Sequence, residues 1–404
     1  MTISSSVQHG AQRAGRYKAA YAALTDWDDA PTPGAWGTLA KACLEALGDL
    51  PEGANLGFAY ATEAVSENLG SIVTFLRERT GIQHWVGTVG EGVVGNGVEF
   101  YDHPALSLMV AALPEDGFRA FAPLEAAPRA GGLGGFSRDN GAWIAQHRPI
   151  LGVVHGDPRN PALPEIIEGL AEETSSFLVG GLTVSSDGFP QIAGTDTASG
   201  ISEGGLSGVL FSSEQMVVTG LSQGCSPIGG DHLVSEVEAP GVICALDGRP
   251  ALDVLREEVG ELLSRDLRRI GGYIFAALPI PGSDTGDYVV RNIIGIDLER
   301  GWLQVGAEVR AGERLGFCRR DHQSARADLK RMLEDLRERA GGAPRGGLYF
   351  SCVARGRHLF GPNSEELRLI REAFGDMPLT GFFANGEISN NRLYGYTGVL
   401  TLLL

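Results

Sequence analysis

Lysine is nearly absent from this chain: Lys18, Lys41 and Lys330 are the only three in 404 residues. No lysine follows a glycine-rich loop, so a phosphate-cradling P-loop is excluded. Positive charge is scarce altogether, with 33 Lys and Arg against 50 Asp and Glu and a formal net charge of −17. That balance, with no basic cluster to offset it, argues against nucleic acid or an anionic membrane as a partner. Cysteine is sparse too. Cys43, Cys225, Cys244, Cys318 and Cys352 are scattered without a Cys-x-x-Cys pair, which fits reduced thiols better than a disulfide framework. The eight histidines show no metal-ligand spacing, so neither a metal nor a cofactor is expected. No apolar run approaches the roughly 18–20 residues that span a bilayer, and the first residues lack the apolar centre of a secretory signal. These absences lead to the expectation of a soluble, cytoplasmic protein.

Glycine, by contrast, is abundant at 58 residues, and its placement carries the organisation. Leu379 to Ser389 reads as an apolar strand broken at Asn385-Gly386, with Glu387 just beyond the turn. His84 to Gly92 has a similar shape, ending Gly90-Glu91. Each lies in a larger pattern of strand, amphipathic helix, inner strand and closing strand. The opening strands begin near Leu56, Leu151 and Leu348, and in each copy an inner glycine follows about 30 residues later, the scale of one supersecondary unit. The expectation is an α/β (mixed α+β) fold, with repeated β-α-β-β units forming mixed sheets flanked by helices, in two domains. Residues 1–34 read as a polar leader, and the domain boundary falls near residue 235. Ala126 to Gly135, Asp28 to Gly34 and Asp187 to Gly205 read as loops. Trp36, Leu39, Ala40, Cys43, Leu44 and Leu47 share one helix face, as do Leu252, Leu255, Val259, Leu262 and Leu263, and Leu329, Met332, Leu333 and Leu336. Asn363 and Glu366 read as a capping-box-like helix start.

Three motifs mimic catalytic signatures. Gly90 to Gly95 matches G-x-G-x-x-G, but Asn96-Gly97 and Pro104 follow where a dinucleotide site needs a helix N-terminus. Gly220-Leu221-Ser222-Gln223-Gly224 matches a nucleophile elbow, but Pro227 and Gly229-Gly230 block the helix that should follow. Cys352 and His358 are close enough in sequence for a thiol–imidazole pair, against the plainer reading of a buried strand cysteine and a surface histidine.

Phe350-Ser351-Cys352-Val353-Ala354-Arg355, followed by Gly381 to Ile388 and a Thr-containing strand from Thr397 to Leu402, resembles the C-terminal domain of the FIST family. The likeness extends to Val290-Arg291-Asn292-Ile293-Ile294-Gly295-Ile296-Asp297. Trp85 to Gly92, Phe177 to Gly181, Gln223 to Gly229 and Leu246 to Ala251 resemble its N-terminal domain. The resemblance implies an N-terminal domain over residues 35–235, a C-terminal one over 236–404, and a small-ligand sensory module with amino acids as suggested ligands.

The residues themselves suit such a ligand. An arginine can hold a carboxylate with two hydrogen bonds, and a glutamate can accept from an ammonium group. Arg355 and Glu387, at strand ends on one sheet edge, are expected to converge on a crevice. Cys352, Asn385, Gly386, Thr88, Gly90, Glu91 and Arg291 complete the expected ligand-binding set. The reading is a non-enzymatic binding protein for an amino acid or similar small zwitterion or anion, signalling through an unknown partner protein, with a homo-oligomer left open. The alternative is a small-molecule hydrolase using Cys352, Glu387 or Ser222.

Overall fold

A single glycine defines each of the three repeats. In the computed structural model, which describes residues 7–25, 34–128, 132–193, 200–264, 270–280 and 288–404, the opening strands are Leu56–Thr62, Leu151–Gly156 and Gly346–Cys352. Helices Leu69–Thr80, Leu163–Thr174 and Glu365–Phe374 follow. The inner strands His84–Gly90, Phe177–Leu182 and Leu379–Ala384 then pair in parallel with their own opening strands. Gly87, Gly180 and Gly381 sit opposite Ala59, Val154 and Tyr349 in the three registers, at φ of 155°, 144° and 157°. A Cβ there would lie 1.8 Å from the carbonyl oxygen across the ladder in all three cases, so any other residue would force the parallel pair apart. Closing strands Ala105–Ala111, Leu206–Phe211 and Thr397–Leu403 run antiparallel to the opening strands. The three expected units are therefore present, and each of Leu56, Leu151 and Leu348 lies in a buried opening strand.

The units are interlocked rather than independent. After its inner strand, each copy sends a short strand to another copy. Gly92–Gly95 of the first pairs with Leu379–Ala384 of the third, and Glu387–Asn390 of the third pairs with Phe177–Leu182 of the second. Gln191–Ala193 of the second pairs with His84–Gly90 of the first. The exchange closes a cycle, with Val94, Ile388 and Ile192 opposite the three special glycines.

These sheets belong to one unit, comprising 1–222, 329–393 and 397–404. Alternation along each strand gives two apolar faces. One face carries helices: Ala35–Leu47 and Leu69–Thr80 cover Ala59, Trp85, Val89 and Leu108, and Leu163–Thr174 covers Val154, Leu178 and Leu210. The other faces meet in a shared core. At its centre, Tyr60, His155 and Phe350 occupy the same place in the three repeats, one residue past Ala59, Val154 and Tyr349. Their rings lie 5.4–6.4 Å apart, with Phe382 packed against all of them.

Residues read as a polar leader form instead a hairpin, Val7–Ala14 with Tyr17–Leu24, added to the first sheet beside Ala105–Ala111. Its buried side chains are mostly alanine, Ala19 and Ala23 on one face and Ala20 and Ala22 on the other, so the stretch carries little β signal of its own and is held by its neighbour. Parts of the expected loops, 26–33, 129–131 and 194–199, lie outside the described residues.

The second unit comprises 223–328 and 394–396. The chain thus leaves the first unit at Ser222, where a single boundary near 235 was expected, and returns at Leu329. Six of its strands close into an antiparallel barrel, an arrangement that the reading of helix-flanked sheets did not include. Cys225–Ala239, Arg314–Arg320, Ile274–Pro279, Tyr288–Asp297, Trp302–Val305 and Val242–Leu246 pair in that order, and the last pairs back to the first. Helix Ala251–Ser264 packs Leu252 and Leu255 into a core with Val234, Leu303 and Phe317. The side chains of Leu262 and Leu263, expected on that helix face, lie outside the described residues. Gly220 to Gln223 runs in extended strand, and after the bend at Gly224 another strand follows rather than a helix, so no nucleophile elbow exists there.

Candidate ligand-binding site

The third repeat ends its parallel strands in a polar cluster that holds two buried carboxyl groups, Glu387 and Glu366. Its first member, Glu387, opens the exchanged strand and is fully buried. In the cyclic exchange Glu387 pairs with Gly181, and its equivalents are Gln191, opposite Thr88, and Val93, opposite Phe382. The fold itself therefore accepts an apolar side chain or a neutral amide at this position and does not require a carboxyl group. Glu387 Oε2 accepts hydrogen bonds from the Thr397 amide at 3.0 Å and the Thr397 hydroxyl at 2.8 Å. Burial pushes its pKa up to about 7, against the opposing pull of Thr397, the hydrogen-bonded Cys352 thiol and the Arg355 charge.

Arg355 is equally buried and does not stand free for a ligand carboxylate. Its guanidinium pairs with Glu366, Nε to Oε1 at 2.8 Å. It also donates to the Ser222 carbonyl at 3.2 Å and the Ser222 hydroxyl at 3.3 Å, and covers the Phe360 ring at 5.0 Å. Burial alone would lower its pKa, but the Glu366 carboxylate outweighs that and holds it above the ordinary value. Glu366 takes further hydrogen bonds from Tyr349, from Ser351 and from the Gly356 amide. The capping-box reading of Glu366 is thus replaced: the helix begins at Glu365 with no side-chain cap, and Glu366 turns inward as the counter-ion of Arg355. A charge on the buried face of an amphipathic helix, next to Leu367 and one turn before Ile370, was the available signal. Ser222 lies beside a guanidinium, which cannot take its proton, so it lacks the base a nucleophile needs. The Cys352 thiol donates a hydrogen bond to Glu387, and His358 lies edge-on to Tyr101 instead.

Above this buried floor lies an accessible rim. Arg357, two residues past Arg355, pairs with Asp102 through both terminal guanidinium nitrogens, Nη2 donating to Oδ1 at 3.0 Å. Its guanidinium carbon sits 4.5 Å from the Tyr101 ring centre. Asp102 first, and Glu91 among weaker influences, raise its pKa. Glu91 is exposed and its amide donates to the Phe383 carbonyl at 3.1 Å, while Asn385 follows on the same strand end and is also exposed. Half-buried Glu99 has its pKa pushed up to about 8 by burial and by Glu366.

Of the expected site residues, Cys352, Arg355, Asn385, Gly386, Glu387 and Glu91 gather at this strand end. Glu91 and Glu387 are not equivalent, however. Counted from Gly87 and Gly381, Glu91 matches Asn385, so the recurring Gly-Glu pair is a coincidence of sequence rather than of structure. Gly90 packs against Phe382. Thr88 is buried and fully engaged, with the Thr183 hydroxyl at 2.6 Å and the Pro190 carbonyl at 2.9 Å. Arg291 lies on a barrel strand of the second unit. Sequence reasoning missed Arg357, Asp102, Glu366 and Thr397, which lie on the adjoining segments.

The FIST N domain model matches residues 55–249 and the FIST C domain model residues 251–390. An uncharacterized protein of Mycobacterium tuberculosis (strain H37Rv) is 37% identical over 211 residues, 50% of this chain and 54% of its own length. An uncharacterized protein of Mycobacterium bovis is 37% identical over 195 residues, 46% of this chain and 50% of its own. The chain thus spans about half the length of these relatives. Among the described residues no helix is long and apolar enough to cross a membrane.

Proposed function

We propose that this chain, which belongs to the FIST family, is an intracellular receptor for a small zwitterion such as a free amino acid, held at the end of its third repeat. Proteins with these domains are thought to sense small ligands in signalling. The observation that carries the reading is a cation and an anion presented together at one strand end, Arg357 over the Tyr101 ring and exposed Glu91 near enough to act on its charge.

In this reading the ligand carboxylate meets Arg357, which already stacks on Tyr101 and has room to trade Asp102 for another carboxylate. The ammonium group meets Glu91 and the Asn385 side chain. Arg355 acts from beneath, held by Glu366 and Ser222, to orient the Cys352-to-Gly356 turn. Ligand binding would be passed on to a signalling partner. Thermal-shift screening of the full chain with amino acids, small organic acids and nucleotides tests this. An amino acid at about 100 times its dissociation constant stabilises the fold by roughly 2.7 kcal/mol, and a panel that leaves the melting temperature unchanged removes the reading.

A second reading rests on the Cys352–Glu387 hydrogen bond. A carboxyl group that titrates near neutrality beside a thiol has the elements of acid–base-assisted nucleophilic chemistry. Turnover of an ester or amide that Cys352→Ser abolishes and Glu387→Gln slows would establish it.

A further inference from the structure

Two cysteines that the proposed site does not use lie together in the barrel. Cys225 opens the strand Cys225–Ala239, and Cys318 lies on the neighbouring strand Arg314–Arg320. The register sets Cys225 opposite Arg320 and Cys318 opposite Pro227, so the two cysteines are diagonal neighbours. Both are buried in one small cluster with Phe275, Ala277 and Val290, their thiols in hydrogen-bonding contact. The Tyr288 hydroxyl donates to the Cys225 carbonyl at 2.6 Å and so holds this end of the strand.

We propose that Cys225 and Cys318 form a reversible intramolecular disulfide when the chain meets a small peroxide oxidant. Diagonal neighbours in an antiparallel pair sit roughly 7–8 Å apart at Cα, just beyond the usual disulfide span of about 4.4–6.8 Å. The bond therefore closes only if the strands shift slightly. The ladder is built to yield at this point: Pro227, opposite Cys318, has no N–H to donate, and the register slips between Ile228 and His232. A bond closed against such a shift is easily reduced again.

The chemistry balances with hydrogen peroxide as the two-electron oxidant. The sulfur of Cys225, the slightly more exposed residue of the two, attacks one peroxide oxygen as a thiolate. The O–O bond breaks, the departing hydroxide takes up the proton that the thiol gave up and leaves as water, and a sulfenic acid remains. The Cys318 sulfur then attacks the Cys225 sulfur, its proton and the sulfenic hydroxyl leaving as a second water. The hydrogen bond with Cys225 first, and burial next, push the Cys318 thiol up and disfavour its free thiolate, which leaves Cys225 to meet the peroxide. Proximity makes the second step fast once the first has occurred.

The test treats the native full chain with hydrogen peroxide, removes it with catalase, then denatures and alkylates with N-ethylmaleimide. The expected result is two fewer alkylated residues among the five cysteines, a Cys225–Cys318 cross-linked peptide in the unreduced digest, and full recovery of alkylation after dithiothreitol. Cys225→Ser should leave Cys318 alkylatable, and Cys318→Ser should leave no cross-link. The proposal is overturned if all five cysteines stay alkylatable, if Cys225 over-oxidises while Cys318 remains a thiol, or if the cross-link forms only after urea unfolds the chain. The wild-type arm decides the matter even where a serine variant does not fold.

Discussion

Replacing Glu387 by glutamine tests the buried carboxyl directly through the pH dependence of stability. The folded-state pKa of about 7 lies above the ordinary value of 4.5, so the folded chain binds the proton more tightly than the unfolded one. The sign follows from linkage: stability contributed by the protonated carboxyl is fully present below about pH 4.5 and is lost as the pH rises to about 7. At roughly 1.4 kcal/mol per pH unit, the loss across that window is about 3 kcal/mol. Glutamine cannot titrate. Its amide oxygen can still accept from the Thr397 amide and hydroxyl, but its NH2 group faces the Gly386 N–H, one donor against another, which costs about 1 kcal/mol. The variant should therefore be the less stable protein near pH 4.5, and should match or exceed the wild type above pH 7. Urea unfolding followed by tryptophan fluorescence at half-unit steps from pH 4.5 to 8 measures the difference in midpoint. Parallel profiles for the two proteins would refute the assignment of a neutral-range carboxyl to Glu387.

Other expectations follow from the same geometry. Glu366→Ala strands a buried guanidinium and should destabilise by about 3–5 kcal/mol, whereas the double variant Arg355→Met/Glu366→Leu should recover much of that in thermal melts. Gly381→Ala places a methyl group against the Tyr349 carbonyl and should cost at least about 1–3 kcal/mol, visible as a lowered melting temperature, with Gly87→Ala and Gly180→Ala behaving alike. Phe350→Ala, at the meeting point of the three repeats, should cost about 3–5 kcal/mol by denaturant titration. Arg357→Ala should change stability by no more than about 1 kcal/mol, because its pair with Asp102 is exposed. The same variant should weaken ligand binding by about 1.5–3 kcal/mol in calorimetric titration.

The repeat was legible because its cause is local. A glycine that must let a carbonyl approach, set between an amphipathic helix and a turn, leaves a mark in sequence wherever it recurs. The exchange of strands among the copies was not legible, since Gly92–Gly95, Gln191–Ala193 and Glu387–Asn390 pair across distances that short apolar runs do not encode. The barrel escaped for a related reason: its strands are partly buried and bulged, which blurs the alternation a sheet should show. In the site, the nearness of Arg355 to Glu387 followed from their strand ends, but charge pairing is a tertiary fact. Asn363 and Glu366 satisfied the local logic of a helix cap, and only the packed helix turns Glu366 towards Arg355. Arg357 was passed over because nothing in the chain order distinguishes the outward arginine from the inward one.

The most direct test of the central claim is a crystal structure of the chain with an amino acid that stabilises it in the thermal screen. The account predicts the ligand at the end of the third repeat, its carboxylate within hydrogen-bonding distance of the Arg357 guanidinium and its ammonium group beside Glu91, with Arg355 still paired to Glu366. A ligand bound on the barrel, or bound to the first unit with Arg357 and Glu91 untouched, would contradict it.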